Sequence, residues 1–136
     1  MAKAFDCVNH KILLEKLEEV GVRGVPLQLF KNYLNNRLQI VKIGKEFSSQ
    51  KQVAYGVPQG SCLGPLLFTV YINDILELKL NGTVQLFADD YVITYFAMSC
   101  KTLFEQMRSD LIIIDQWFYN NYMTLNFSKT HYMIYN

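Results

Sequence analysis

The sequence predicts an α+β fold: a mostly antiparallel sheet with helices packed on one face. Three observations carry that prediction. Apolar residues recur at helical spacing in separate stretches. Short β-branched and aromatic runs come in pairs a few residues apart, as hairpins require. All seven Gly and three Pro lie between positions 21 and 82, so the last 54 residues should form long regular elements with few tight turns.

The elements follow in order. Residues 9–20 predict a helix, with Leu13, Leu14, Leu17 and Val20 on one face and Lys11, Glu15, Glu18 and Glu19 mainly opposite; Gly21 suits its C-terminal stop. Pro26 fits the first turn of a second helix carrying Leu27, Phe30 and Leu34, which Asn35-Asn36 ends. Residues 37–43 and 47–55 read as strands around Gly44-Lys45. Gly56-Val57-Pro58-Gln59-Gly60 is a turn-rich loop, followed by a helix over about 64–76. Residues 84–87 and 91–96 read as strands of a tight hairpin around Ala88-Asp89-Asp90. Leu103, Met107, Leu111, Ile114 and Phe118 mark a long amphipathic helix over about 99–121, with Trp117 beside its apolar face. Short strands are expected at 123–126 and 130–135. No linker or repeat interrupts the 136 residues, so one domain is expected.

Composition narrows the class. The chain is 51% hydrophobic and 18% charged, which excludes intrinsic disorder. A net charge of +1 excludes a polybasic tail. The charge is uneven: residues 1–52 carry +4 and residues 53–136 carry −3. Cys7, Cys62 and Cys100 form no CxxC pair, so buried reduced thiols are expected rather than a zinc site or disulfides. The apolar run Leu63 to Ile72 is too short to span a bilayer, and residues 1–6 lack the apolar stretch of a signal peptide.

Two local patterns suggest chemistry. Phe87-Ala88-Asp89-Asp90 puts adjacent carboxylates, which repel unless a cation lies near, at the tip of a hairpin whose apolar flanks Val84 to Phe87 and Tyr91 to Tyr95 predict it to be buried. Mg²⁺ prefers such ligands, one or two carboxylates plus substrate phosphates. An Asp pair also suits a solvated turn. Gly56 to Ser61 forms a Gly-rich loop entering a helix, a setting where backbone N–H groups meet anions and Gly60 allows close approach. The same residues also suit a plain strand-to-helix connection.

In combination, four stretches resemble the reverse transcriptase domain of non-LTR retrotransposons, nearest to jockey and CR1-like elements. They are Lys3-Ala4-Phe5-Asp6-Cys7-Val8-Asn9-His10; Gly56 to Ser61 running on to Tyr71-Ile72-Asn73-Asp74; Phe87 to Asp90; and Trp117 to Asn121 with Leu125 to Thr130. The match covers essentially the whole chain, and group II intron maturases or telomerase fit less well. The resemblance implies a polymerase palm-type sheet and an RNA-directed DNA polymerase activity. Asp89 and Asp90 would be the metal-binding catalytic carboxylates for two Mg²⁺ ions. Phe5 would be the steric gate against a ribose hydroxyl. Gln59 and Gly60 would contact the incoming nucleotide and template, and Lys129 would assist the pyrophosphate. Asp6 is expected to be structural, as a cap or acceptor for the helix near Asn9. RNA template, DNA primer and dNTPs are the implied partners, with no membrane. Nucleus and cytoplasm are the implied locations.

One departure matters. In this family the first catalytic Asp stands three residues before the Lys of Lys-Ala-Phe-Asp, and counting back from Lys3 reaches the position before Met1. The expectation is therefore a truncated domain over residues 1–136: palm plus incomplete fingers, no thumb, with the remaining fingers and thumb segments of the parent polyprotein missing. These residues alone are expected to lack polymerase activity, and the acidic hairpin to lack a sheet neighbour. The competing expectation is a non-catalytic nucleic-acid-binding remnant, for which +1 is a weak electrostatic footprint.

Overall fold

The computed structural model describes residue 1 and residues 3–135. The chain forms two compact units, Phe5–Asn73 and Asp74–Asn136 with Met1–Ala4.

The first unit is helical with a β arm. Helix α1, His10–Glu19, starts where the Asn9 side chain accepts from the Lys11 and Ile12 backbone N–H groups at 2.9 and 3.2 Å. Such a cap contributes on the order of 1 kcal/mol. Leu13 and Leu17 are buried, as the spacing predicts. Lys16 is buried with them: its Nζ donates to the Tyr71 carbonyl at 2.6 Å and lies 4.9 Å from the Tyr71 ring centroid. Helix α2, Val25–Leu34, carries Pro26 in its first turn and buries Leu34. Helix α3, Leu63–Ile72, is apolar almost throughout, buries Leu67, Phe68, Tyr71 and Ile72, and runs on as a 3-10 turn, Asn73–Glu77. Helix α1 packs on both α2 and α3.

The arm is one hairpin broken into two ladders. Strands β1 (Leu38–Gln39) and β4 (Lys51–Gln52) pair, as do β2 (Lys42–Ile43) and β3 (Glu46–Phe47) around Gly44-Lys45. It is shorter than the sequence predicts, because every residue from Leu38 to Gln52 is exposed. With no buried face, little holds the pairing beyond its turn.

The second unit holds strands β5 (Thr83–Phe87) and β6 (Asp90–Thr94), antiparallel with Phe87 opposite Asp90, and helix α4, Cys100–Asn120. Ser99 caps α4 by accepting from the Thr102 N–H at 3.2 Å. Ile114, Trp117 and Phe118 are buried.

The mixed helix and strand class holds, and four details differ. The strands form three separate antiparallel pairs among the described residues, not one sheet. The acidic hairpin is not buried: one face is half-buried, while the other, with Gln85, Phe87 and Val92, is exposed. No strand forms at 123–126 or 130–135. A 3-10 turn, Phe127–Lys129, occupies that stretch instead, because Asn126 draws in the Lys129 N–H and the Thr130 hydroxyl through its carbonyl. The thiols are not buried either. Cys7 is half-buried, and Cys62 and Cys100 are exposed because they stand at the surface starts of α3 and α4.

Candidate active site

The acidic turn is a two-residue loop, Ala88-Asp89, with Asp90 as the first residue of β6. Ala88 has φ +51°, the left-handed region that an L residue enters at a cost of about 1–2 kcal/mol. The Asp89 side chain is half-buried, and Asp90 lies on the exposed face opposite Phe87. The Met1 amino group donates to the Asp89 carbonyl at 3.1 Å. Among the described residues, neither carboxylate is held by a hydrogen bond or an ion pair. Both therefore keep their oxygens for a cation, and hard oxygen donors fit Mg²⁺. They do not form a closed cage, since the described residues contain no cluster of three or more potential ligands.

The hairpin that carries this turn is anchored by a residue that sequence reasoning passed over. Asp110 of α4 has no exposed surface. Its carboxylate accepts from the Asn81 backbone N–H at 2.9 Å, the Asn81 side-chain amide at 2.7 Å and the Gly82 N–H at 3.0 Å. Burial pushes this carboxyl up, but the Asn81 and Gly82 hydrogen bonds with the neighbouring Tyr95 hydroxyl outweigh it, so its pKa lies below the ordinary carboxylate value. Burial and the Asp110 charge in turn push the Tyr91 hydroxyl up to about 12 and raise Tyr95 as well. Both hydroxyls are buried, and neither makes a hydrogen bond of good geometry among the described residues. The sequence held one signal for Asp110: a carboxylate on the stripe that Leu103, Met107, Ile114 and Phe118 define.

The Gly-rich loop belongs to the first unit and is bolted to the segment before α1. The Gly56 N–H donates to the Val8 carbonyl at 2.8 Å and the Val57 N–H to the Phe5 carbonyl at 2.9 Å. His10 Nε2 lies 2.8 Å from the Gly56 carbonyl, which only accepts, so Nε2 carries the proton. Gly56 has φ +85°, and a Cβ there would stand 3.0 Å from both the Asp6 Cα and the Phe5 carbonyl oxygen. Only glycine meets both conditions without strain. The Ser61 hydroxyl donates to the Pro58 carbonyl at 2.7 Å and accepts from the Gly64 N–H at 2.9 Å, which closes the turn into α3.

Gln59 and Gly60 are exposed on this loop. Gln59 Nε2 donates to Asp6 Oδ1 at 2.7 Å. Asp6 is thus an acceptor, as expected, but not for α1, because Asn9 caps that helix with its own side chain. Phe5 is half-buried and stacks on Phe68, with ring centroids 4.3 Å apart and planes 21° from parallel.

Lys129 is exposed on the 3-10 turn of the second unit. Asp89, Asp90 and Lys129 therefore fall in the second unit, and Phe5, Gln59 and Gly60 in the first. A cleft of about 610 Å³ in the first unit, lined by Asn9, His10, Leu14, Leu34, Val53 and Tyr55 among others, includes none of these six residues.

Along the chain a glycine-rich loop entering an apolar helix is followed by an acidic hairpin turn. The chain belongs to the reverse transcriptase family: residues 1–135 match the family described as reverse transcriptase (RNA-dependent DNA polymerase). Among curated relatives it is 39% identical over 97 residues to the probable RNA-directed DNA polymerase from transposon X-element of Drosophila melanogaster, covering 68% of this chain and 11% of that protein. It is 31% identical over 137 residues to the RNA-directed DNA polymerase from mobile element jockey of the same organism, covering 93% of this chain and 14% of that protein. Against the probable RNA-directed DNA polymerase from transposon BS, identity is 27% over 96% of this chain and 15% of that protein. The chain thus spans between 11% and 15% of the length of these relatives.

Proposed function

We propose that these residues form part of the catalytic domain of a retrotransposon RNA-directed DNA polymerase, which extends a DNA primer with dNTPs on an RNA template. The observation that carries this reading is the Asp89-Asp90 turn. Among the described residues its two carboxylates have no competing partners, its backbone is in the left-handed region at Ala88, and its hairpin is anchored by a fully buried carboxylate. A non-glycine residue in the left-handed region beside charged side chains is a pattern met at functional sites.

Asp89 and Asp90 would hold the divalent cation. When bound, Mg²⁺ supplies charge that activates the primer 3′ oxygen and neutralises the leaving pyrophosphate. The protein's own part is positioning, which phosphoryl transfer depends on most. Phe5, fixed edge and face by its stack on Phe68, is suited to a steric gate at the sugar. Gln59 and Gly60, on a loop clamped at both Gly56 and Ser61, serve as the nucleotide and template contact. Lys129 supplies a cation for the pyrophosphate. The palm-type sheet, and action in the nucleus and cytoplasm, belong to the same reading.

The test is primer extension on an RNA template by a polypeptide that carries these residues with their flanking polymerase sequence. Extension should need Mg²⁺ and fall at least about a thousandfold in Asp89→Asn. Extension that survives Asp89→Asn would sink the assignment. Salt-sensitive binding of primer–template with no extension, indifferent to Asp89→Ala, would favour a binding remnant instead.

A further inference from the structure

We propose that Asp6 is a positioning residue for Gln59, and that it sets the Gln59 carboxamide so that its oxygen is the group offered to the nucleotide. The proposal deepens the reading of Gln59 as a nucleotide contact and rests on it.

The argument starts from donor and acceptor chemistry. An ionised carboxylate only accepts, whereas a carboxamide has a donor end and an acceptor end. At 2.7 Å from Asp6 Oδ1, the near end of Gln59 must be the –NH₂ group. The oxygen Oε1 is then the free end. A glutamine on an exposed loop would otherwise present either end and lose substantial rotamer freedom on binding. The charge-assisted bond fixes one of the two choices beforehand.

The backbone supports the pair. Gly56 and Val57 donate to Val8 and Phe5, on either side of Asp6, at 2.8 and 2.9 Å. Gly56 packs so closely that a Cβ would stand 3.0 Å from the Asp6 Cα. The two segments are therefore in register before the side chains meet.

An outward acceptor has a definite preference. It meets a hydrogen-bond donor on the nucleoside part, a sugar hydroxyl or a base N–H. It disfavours phosphate oxygens, which are acceptors themselves and which the Asp6 charge also repels. Gln59 thus selects the nucleoside end of a dNTP, and Asp6 makes that selection one-sided.

Two measurements test this. The first needs no turnover: the Gln59 side-chain amide resonances of the labelled chain are compared in wild type, Asp6→Asn and Asp6→Ala. One amide proton should be shifted and slow to exchange in wild type, and both effects should vanish in Asp6→Ala. Identical Gln59 amide spectra in those two proteins would overturn the proposal.

The second is steady-state extension by the full polymerase. Gln59→Ala and Asp6→Ala should each raise the dNTP KM about threefold to tenfold with kcat nearly unchanged, and the double variant should be no worse than either. A KM rise for Gln59→Ala alone would also overturn it. Dideoxynucleotides locate the donor: an Asp6→Ala effect that disappears with them assigns it to the 3′ hydroxyl, and one that persists assigns it to the base. If Gln59→Ala leaves KM unchanged while the amide bond is seen, the nucleotide contact is refuted and the Asp6–Gln59 pairing stands without it.

Discussion

Asp110 grips Asn81 twice, taking the backbone N–H at 2.9 Å and the side-chain amide at 2.7 Å from across 29 positions of sequence. This pair ties α4 to the residues that lead into β5, and so to the hairpin that carries Asp89 and Asp90. Removing the carboxylate would leave the Asn81 and Gly82 donors without their acceptor in a site with no exposed surface. Asp110→Ala should therefore cost about 3 kcal/mol in urea denaturation. Asp110→Asn should cost less, since one oxygen remains to accept. A loss below about 0.5 kcal/mol for Asp110→Ala would show that the donors find water instead.

The same carboxylate predicts an acid limb of stability. Its folded pKa lies below the ordinary value, so the ionised form is favoured by folding. Its contribution is complete above the ordinary carboxylate pKa and is lost as pH falls through the lower folded value. Wild-type stability measured from about pH 6 down to about pH 3 should fall more steeply than that of Asp110→Asn. Parallel curves would mean that other carboxylates set the acid limb.

Much of the fold is legible in the sequence because its signals are local. Pro26 in the first turn of α2, Gly21 after α1 and the apolar spacing of α1 and α4 each act within a few residues. The acidic turn was legible for the same reason. The rest depends on distant partners. Among the described residues the expected single sheet resolves into three pairs because strand neighbours are chosen by packing, which local pattern does not encode. The tail after α4 has β-forming residues, but no described strand pairs with it. The importance of Asp110 depends on Asn81, and that of Asp6 on Gln59, 53 positions away. Residue-type expectations placed Gln59 on the loop, yet nothing near it in sequence identifies what holds it.

Two glycines of one loop separate crowding from backbone conformation. Gly56 and Gly60 both have left-handed φ, +85° and +78°. A Cβ at Gly60 meets open space, whereas at Gly56 it meets Asp6 and Phe5 backbone atoms at 3.0 Å. Gly60→Ala should cost about 1 kcal/mol of stability, and Gly56→Ala roughly 2–4 kcal/mol, because overpacking adds to the same backbone strain. Thermal or urea melts of the two variants provide the comparison. Equal losses would mean that the segment around Asp6 shifts freely, which would also weaken the case that it holds Gln59 in place.

Tyr91 gives a prediction of opposite sign. Among the described residues its hydroxyl is buried beside the Asp110 charge without a hydrogen bond of good geometry, so it contributes a desolvation cost and no compensating bond. Tyr91→Phe should leave stability unchanged or raise it by up to about 1 kcal/mol near neutral pH. Because folding raises its pKa from 10.0 to about 12, the neutral form is favoured in the folded state, and the stability held by that difference is present below pH 10.0 and lost as pH rises towards about 12. Tyr91→Phe should flatten this alkaline decline, which denaturation at pH 9 and at pH 11 would measure against wild type. A variant that is clearly less stable at neutral pH would mean that the Tyr91 hydroxyl makes a bond after all, for instance through a buried water, and that the region beside Asp110 is wetter than its packing implies.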